Sequence, residues 1–275
     1  MATINRTLSH TYAQSGPWIE RLARWGYAAK GVVYVLLGVL ALMAALGQSD
    51  KSASKNGVAQ LIFEQPFGKF LAVLVVIGIL GFVVWRFVQA VKGVNNGDSP
   101  KKKAVNEVRY ISSGLVYLAF AITLIKMIAG SGNGGGNKQQ WLSQLLDTGV
   151  GPFLVAATGI IVMGAGVYQW VKAYKGDFME KLRVSGVAAN LRNWVKRMGK
   201  IGYAARGIVW LLIGFFLVRA GMQSDASEAQ GSAGAFDMVQ QLGGNWILLI
   251  VALGVVAYGI FMFVKAKYYQ IRLGS

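Results

Sequence analysis

Few residues of this chain can do chemistry, and their positions narrow it further. There is no cysteine and a single histidine, His10, in the N-terminal tail. Disulfides, thiolate nucleophiles and iron–sulfur ligation are thereby removed, and bis-histidine haem or histidine-based metal hydrolysis is disfavoured. None of the 11 Asp and Glu falls in the middle of a long apolar run, so the intramembrane carboxylates of proton relays and cation-coupled carriers are missing. The cations are different. Lys30 and Arg206 occur at the openings of apolar runs, and Arg86 lies within one, directly after Gly81-Phe82-Val83-Val84-Trp85. A long cation there either snorkels to lipid phosphate or faces inward. Arg86 is only a few residues from the end of its run, so snorkelling is the expected behaviour.

Motifs of soluble enzymes are present only by composition. Gly130, Gly132 and Gly135 satisfy G-x-G-x-x-G, but no strand precedes them, and a link between helices is the expected role. Ser52 with Lys55, and Ser99 with Lys102, satisfy S-x-x-K in polar loops without companion motifs. Lys101-Lys102-Lys103 beside an apolar run reads as an anchor that touches anionic lipid rather than nucleic acid. No catalytic constellation, cofactor or metal site emerges, and the chain is expected not to be an enzyme.

The elements that position these residues are membrane helices. Charged residues make up 14% of the 275, against roughly 25% in soluble chains. Crossing the hydrocarbon takes roughly 20 apolar residues, and six stretches qualify: 27–46, 70–91, 111–129, 152–171, 208–220 with an opening turn from Tyr203, and 246–264. No removable signal peptide is recognised, so the first span is its own insertion signal. Of the 28 basic residues, 22 flank the termini and the second and fourth connections. Five acids share that side, so it carries the entire net charge of +17. Basic residues of short loops stay cytoplasmic, which places both termini in the cytoplasm of a prokaryotic inner membrane.

The chain also repeats. Gly26-Tyr27-Ala28-Ala29-Lys30-Gly31 returns as Gly202-Tyr203-Ala204-Ala205-Arg206-Gly207, with a worn copy at Arg109-Tyr110-Ile111-Ser112-Ser113-Gly114. One register covers both helices of each unit, matching Tyr34, Tyr117 and Trp210, and then Val88, Val171 and Val264. Trp18, Arg21 and Arg24 match Trp194, Arg197 and Lys200, which suggests a short amphipathic approach helix on the cytoplasmic interface. Two spans per unit give all units one orientation. The expected fold is therefore all-α: six transmembrane helices as three tandem hairpins with pseudo-threefold symmetry about the membrane normal. The expected division is a cytoplasmic tail at 1–16 and repeats at 17–95, 96–178 and 179–275.

These G-Y-x-A-x-G openings resemble a known family, together with Gln48-Ser49-Asp50, its recurrence at Gln223-Ser224-Asp225, and Pro66-Phe67-Gly68. It is a prokaryotic membrane family catalogued as domain of unknown function 1206, whose members look like tandem two-helix units. The resemblance implies the topology and brings no activity or site with it. The middle copy departs from the pattern, with Arg109 for the first Gly and a glycine-rich run at 130–137.

Tyr27, Gly31, Tyr34 and Gly38 fall on one helix stripe. Tyr27, Gly31, Tyr110, Gly114, Tyr203 and Gly207 are accordingly expected to serve close helix packing, the alternative being three tyrosines around a polar vestibule. Arg21, Arg24, Lys30, Arg86, Arg197, Lys200 and Arg206 are the expected contacts to lipid headgroups or an anion. Short apolar stretches at 58–63, 141–146 and 236–242 are expected to lie along the outer interface and cap the bundle. The functional expectation is a non-enzymatic scaffold or accessory subunit binding membrane lipids, anionic on the cytoplasmic side, and a membrane-protein partner or second copy. The alternative is a pore or carrier for an anion or small neutral solute.

Overall fold

In a computed structural model that describes residues 17–48, 53–92, 100–130, 136–179, 182 and 189–268, the chain folds into eight α-helices and two short 3-10 turns. They are α1 (Pro17–Ala45), α2 (Lys55–Phe63), α3 (Gly68–Lys92), α4 (Pro100–Ile128), α5 (Gly136–Leu146), α6 (Gly151–Lys175), α7 (Ala189–Gln223) and α8 (Ser232–Tyr268). His10, Ser52, Ser99 and the glycine-rich run from 131 to 135 lie outside the described residues, as do the side chains of Trp18 and Lys101 to Lys103.

Local chemistry sets several helix ends. Pro17 and Pro100 open α1 and α4, and Pro152 sits in the first turn of α6, where its missing N–H costs nothing. Gly176 closes α6 at φ 77°, its N–H donating to the Lys172 carbonyl, a left-handed cap that a Cβ would strain. Gly244, at φ 70°, bends α8 so that its first three turns become the loop segment of the third unit.

Five helices are long and apolar enough to cross a membrane: α1, α3, α6, α7 and α8. The third expected span lies in α4, whose apolar stretch Ser113–Ile128 is shorter. Large apolar side chains cover much of the outer surface, among them Phe70, Ile77, Ile161 and Ile250.

The long helices pack in the order α4, α3, α1, α8, α7, α6. In this arrangement α1 and α3 pair within the first unit and α7 and α8 within the third, while α4 and α6 of the second pack on α3 and α7 rather than extensively on each other. Glycines set the closest approaches. A Cβ on Gly31 would stand 3.1 Å from the Gly259 carbonyl, and one on Gly166 3.0 Å from the Gly207 carbonyl. Small residues gain dispersion contacts at such crossings, where lipid supplies no hydrophobic drive between helices.

Two expectations are corrected. The segments carrying Arg21 and Arg24, and Arg197 and Lys200, are not separate approach helices; they are the opening turns of α1 and α7. Beyond Pro17, the first residue of α1, neither segment contains a proline, so backbone hydrogen bonding continues into the span. The stretch at 58–63 does not lie along the surface either. It belongs to α2, which tucks against α1, α3 and α4 with Val58 and Ala59 fully buried. In the other units Trp141 stays exposed on α5, while Phe236 on α8 is buried.

Candidate functional site: a buried cluster of cations and aromatic rings

The repeat register determines which side chains meet inside the bundle. Lys30 on α1 and Arg206 on α7 occupy one repeat position, with Ser113 on α4 as the third member. Phe82 on α3 and Tyr258 on α8 occupy another, with Ala165 on α6. Lys30 is 3% exposed, so it does not snorkel. Its Nζ lies 4.9 Å from the ring centroid of Phe82, 5.0 Å from Tyr117 and 5.8 Å from both Tyr34 and Tyr258. Cation–π contacts of this kind contribute about 2 kcal/mol when desolvated, which partly offsets the several kcal/mol of burying an ammonium.

The rings around Lys30 are shared with further cations. The Arg206 guanidinium carbon stands 5.4 Å from the Tyr34 ring and 4.8 Å from that of Tyr258. Arg86 stacks over Phe82 at 4.7 Å and over Tyr110 at 5.4 Å. Lys55, from α2, approaches the Tyr117 ring at 4.9 Å. Arg206, Arg86, Lys265 and Lys55 all act on the Lys30 ammonium as like charges.

Hydrogen bonding leaves donors over. Arg206 Nη1 donates to the Tyr258 hydroxyl at 2.7 Å and to Gln169 Oε1 at 3.3 Å. Arg86 Nη1 donates to Gln89 Oε1 at 2.8 Å. The Nε of Arg86, the Nε of Arg206 and Nε2 of Gln89 are buried and find no acceptor. Buried polar groups are satisfied in the great majority of proteins, so a donor-rich interior of like charge is complementary to an anion.

The other sequence-picked residues sort differently. Tyr27, Tyr110 and Tyr203 are all buried, yet they do not form one vestibule. Lys265 Nζ lies 5.6 Å from the Tyr27 ring and donates to the Tyr203 hydroxyl at 3.2 Å, whereas Tyr110 faces Arg86. Gly31 and Gly207 line tight crossings, Gly207 receiving the edge of Trp170, and Gly114 meets Phe87 at an ordinary 3.4 Å. Arg24 Nη1 donates to the carbonyls of Ala266 and Lys267, capping the last turn of α8, whose final carbonyls lack helical partners. Arg21 and Arg197 are exposed and Lys200 half-buried, away from the cluster. Sequence reasoning did not single out Phe82, Gln89, Tyr258 or Lys265 as site residues. The repeat register held the signal, since Gln89, Lys172 and Lys265 share one position.

Among the described residues no three His, Cys, Asp or Glu side chains group as a metal site would require.

Comparison with known proteins adds kinship. The profile of a family described as Domain of Unknown Function (DUF1206) matches residues 25–93, 108–176 and 201–269. Those starts stand in the same register that aligns Tyr27, Tyr110 and Tyr203. A chain described as an uncharacterized protein, YxxB, of Bacillus subtilis (strain 168) is 31% identical over 269 residues, covering 98% of both sequences. No solved structure gives a significant match.

Proposed function

The chain belongs to the family described as Domain of Unknown Function (DUF1206), in three tandem copies, and from that premise we propose that it is a non-enzymatic membrane bundle that binds an anion in its interior. The reading takes α4 as a sixth crossing, so that three hairpins of one orientation surround a pseudo-threefold axis. It places both termini in the cytoplasm of a prokaryotic inner membrane, because the basic excess then lies where short loops retain Lys and Arg. The single observation that carries it is Lys30, buried among four rings with Arg206, Arg86, Lys265 and Lys55 as cationic neighbours.

An anion between Lys30 and Arg206 would relieve the repulsion, use the idle Nε donors and be oriented by fixed side chains. The same site serves a carrier or a static binder; it favours anions over cations in either case, since Lys30, Arg206, Arg86, Lys55 and Lys265 gather there.

Calorimetry on the purified full chain with inorganic phosphate tests the proposal. Binding is expected for the wild type, with at least a tenfold loss in Lys30→Gln and in Arg206→Gln. Binding unchanged by both substitutions would remove the site from the cluster. Phosphate-dependent flux into proteoliposomes then separates a carrier from a binder.

A further inference from the structure

Among the described residues the two helices of the first unit pack closely, as do those of the third, while α4 and α6 of the second do not. In the first unit a Cβ on Gly26 would come 2.6 Å from the Phe82 Cα, and one on Gly78 2.6 Å from the Ala29 Cβ. The third unit repeats both contacts, Gly202 on Tyr258 at 2.6 Å and Gly254 on Ala205 at 2.4 Å. The middle positions in the same register are Arg109, Ser112, Ile161 and Ala165, the side chains of Arg109 and Ser112 lying outside the described residues. Where Gly78 and Gly254 let backbones approach, the middle unit has Ile161, which is 69% exposed. A Cβ on Gly164 would meet nothing within 4 Å, while its counterpart Gly81 is pressed on Leu22.

This seam adjoins the cation cluster. Tyr117 on α4 holds the Lys30 ammonium, and Gln169 on α6 accepts from Arg206. At the seam the two repeat positions that elsewhere hold Lys30 or Arg206, and Phe82 or Tyr258, hold only Ser113 and Ala165. Both helices expose apolar side chains, Leu115 on α4 at 53% and Ile160 on α6 at 64%. An occupant must therefore be apolar along the helices and anionic where it reaches Lys30 and Arg206.

We propose that the seam between α4 and α6 admits an anionic phospholipid from the bilayer, its acyl chains lying along the apolar flanks and its headgroup phosphate bound by Lys30 and Arg206. This rests on the anion reading above and names the ligand's source. Depth is compatible: Arg86, in the same cluster, is six residues from the end of α3, about 9 Å along a helix.

The test uses the full chain in phosphatidylcholine nanodiscs doped with phosphatidylglycerol, with bound lipid counted by mass spectrometry after mild delipidation. Calorimetry with inorganic phosphate runs in parallel. Ala165→Phe restores at the seam the bulk of Phe82 without changing charge, so adsorption to basic surfaces is unaffected. The wild type is expected to retain phosphatidylglycerol over phosphatidylcholine at least tenfold. Ala165→Phe is expected to lose most of that preference while keeping phosphate binding, and Lys30→Gln to lose both. Phosphate binding with no phosphatidylglycerol preference, or an undiminished preference in Ala165→Phe, overturns the lipid assignment and leaves the anion site standing. A change in particle mass rather than in lipid retention for Ala165→Phe would make the seam a contact between copies, also against the proposal. Absence of both ligands from the wild type would sink the anion reading itself. Ser113→Phe, from the opposite wall, repeats the test should Ala165→Phe fail to fold.

Discussion

At the scale of single residues, the informative feature is a lysine whose surroundings solve only half of its problem. Four rings meet the Lys30 ammonium, yet Arg206, Arg86, Lys265 and Lys55 all act on it as like charges. Cation–π attraction offsets part of the desolvation; it does nothing for the repulsion among neighbours. A residue kept for stability would not be built this way, because replacing buried charge by apolar side chains of similar volume is often stabilising by about 1 to 4 kcal/mol. Lys30→Met is accordingly expected to raise the thermal midpoint of the detergent-solubilised protein in anion-free buffer and to abolish any phosphate-dependent rise. A midpoint several degrees lower would instead mark Lys30 as a structural residue. Arg24 is the contrasting case, since its guanidinium caps the end of α8 and is explained without a ligand.

At the scale of elements, glycines decide which helices touch. Gly159 on α6 faces the backbone of α7: a Cβ there would stand 2.6 Å from the Val218 nitrogen and 2.7 Å from the Gly214 carbonyl oxygen. Gly164, little more than a turn further along the same helix, faces open space. Gly159→Ala is expected to cost about 1 to 3 kcal/mol, the range for overpacking. Gly164→Ala should be neutral or gain up to about 1 kcal/mol from helix propensity. Thermal unfolding of the two variants side by side checks both, and equal behaviour would contradict the assigned crossings. Much at this scale was legible beforehand. Apolar run lengths located the five helices long and apolar enough to cross a membrane, and Gly31 and Gly207 of the repeated openings stand at close crossings. The continuity of α1 and α7 was not legible, since an amphipathic turn passing into an apolar one gives no stop signal. The inward fold of α2 was hidden as well, because nine residues of mixed polarity do not reveal which neighbours bury them.

At the scale of the whole molecule, three copies of one unit have diverged in how closely their two helices pack. Sequence register showed the copies, but the close crossings of the first and third emerge only when Gly26 and Gly202 are seen resting on Phe82 and Tyr258. The direction of Lys30 was equally hidden: periodicity assigns a face to a residue without saying whether lipid or a neighbouring helix lies opposite. The +17 excess thus divides by role. Most of it belongs to loops and helix ends, where it fits retention on one side of a membrane, and a small buried share converges from α1, α2, α3, α7 and α8. That convergence is the central claim, and crystals of the full chain soaked in bromide test it most directly, with anomalous scattering locating the halide. The account predicts a peak within about 4 Å of both Lys30 Nζ and the Arg206 guanidinium, the reach of an ion pair, and its loss in Lys30→Gln. Halide found only at the exposed basic ends of the helices, with the cluster closed on itself, would contradict it.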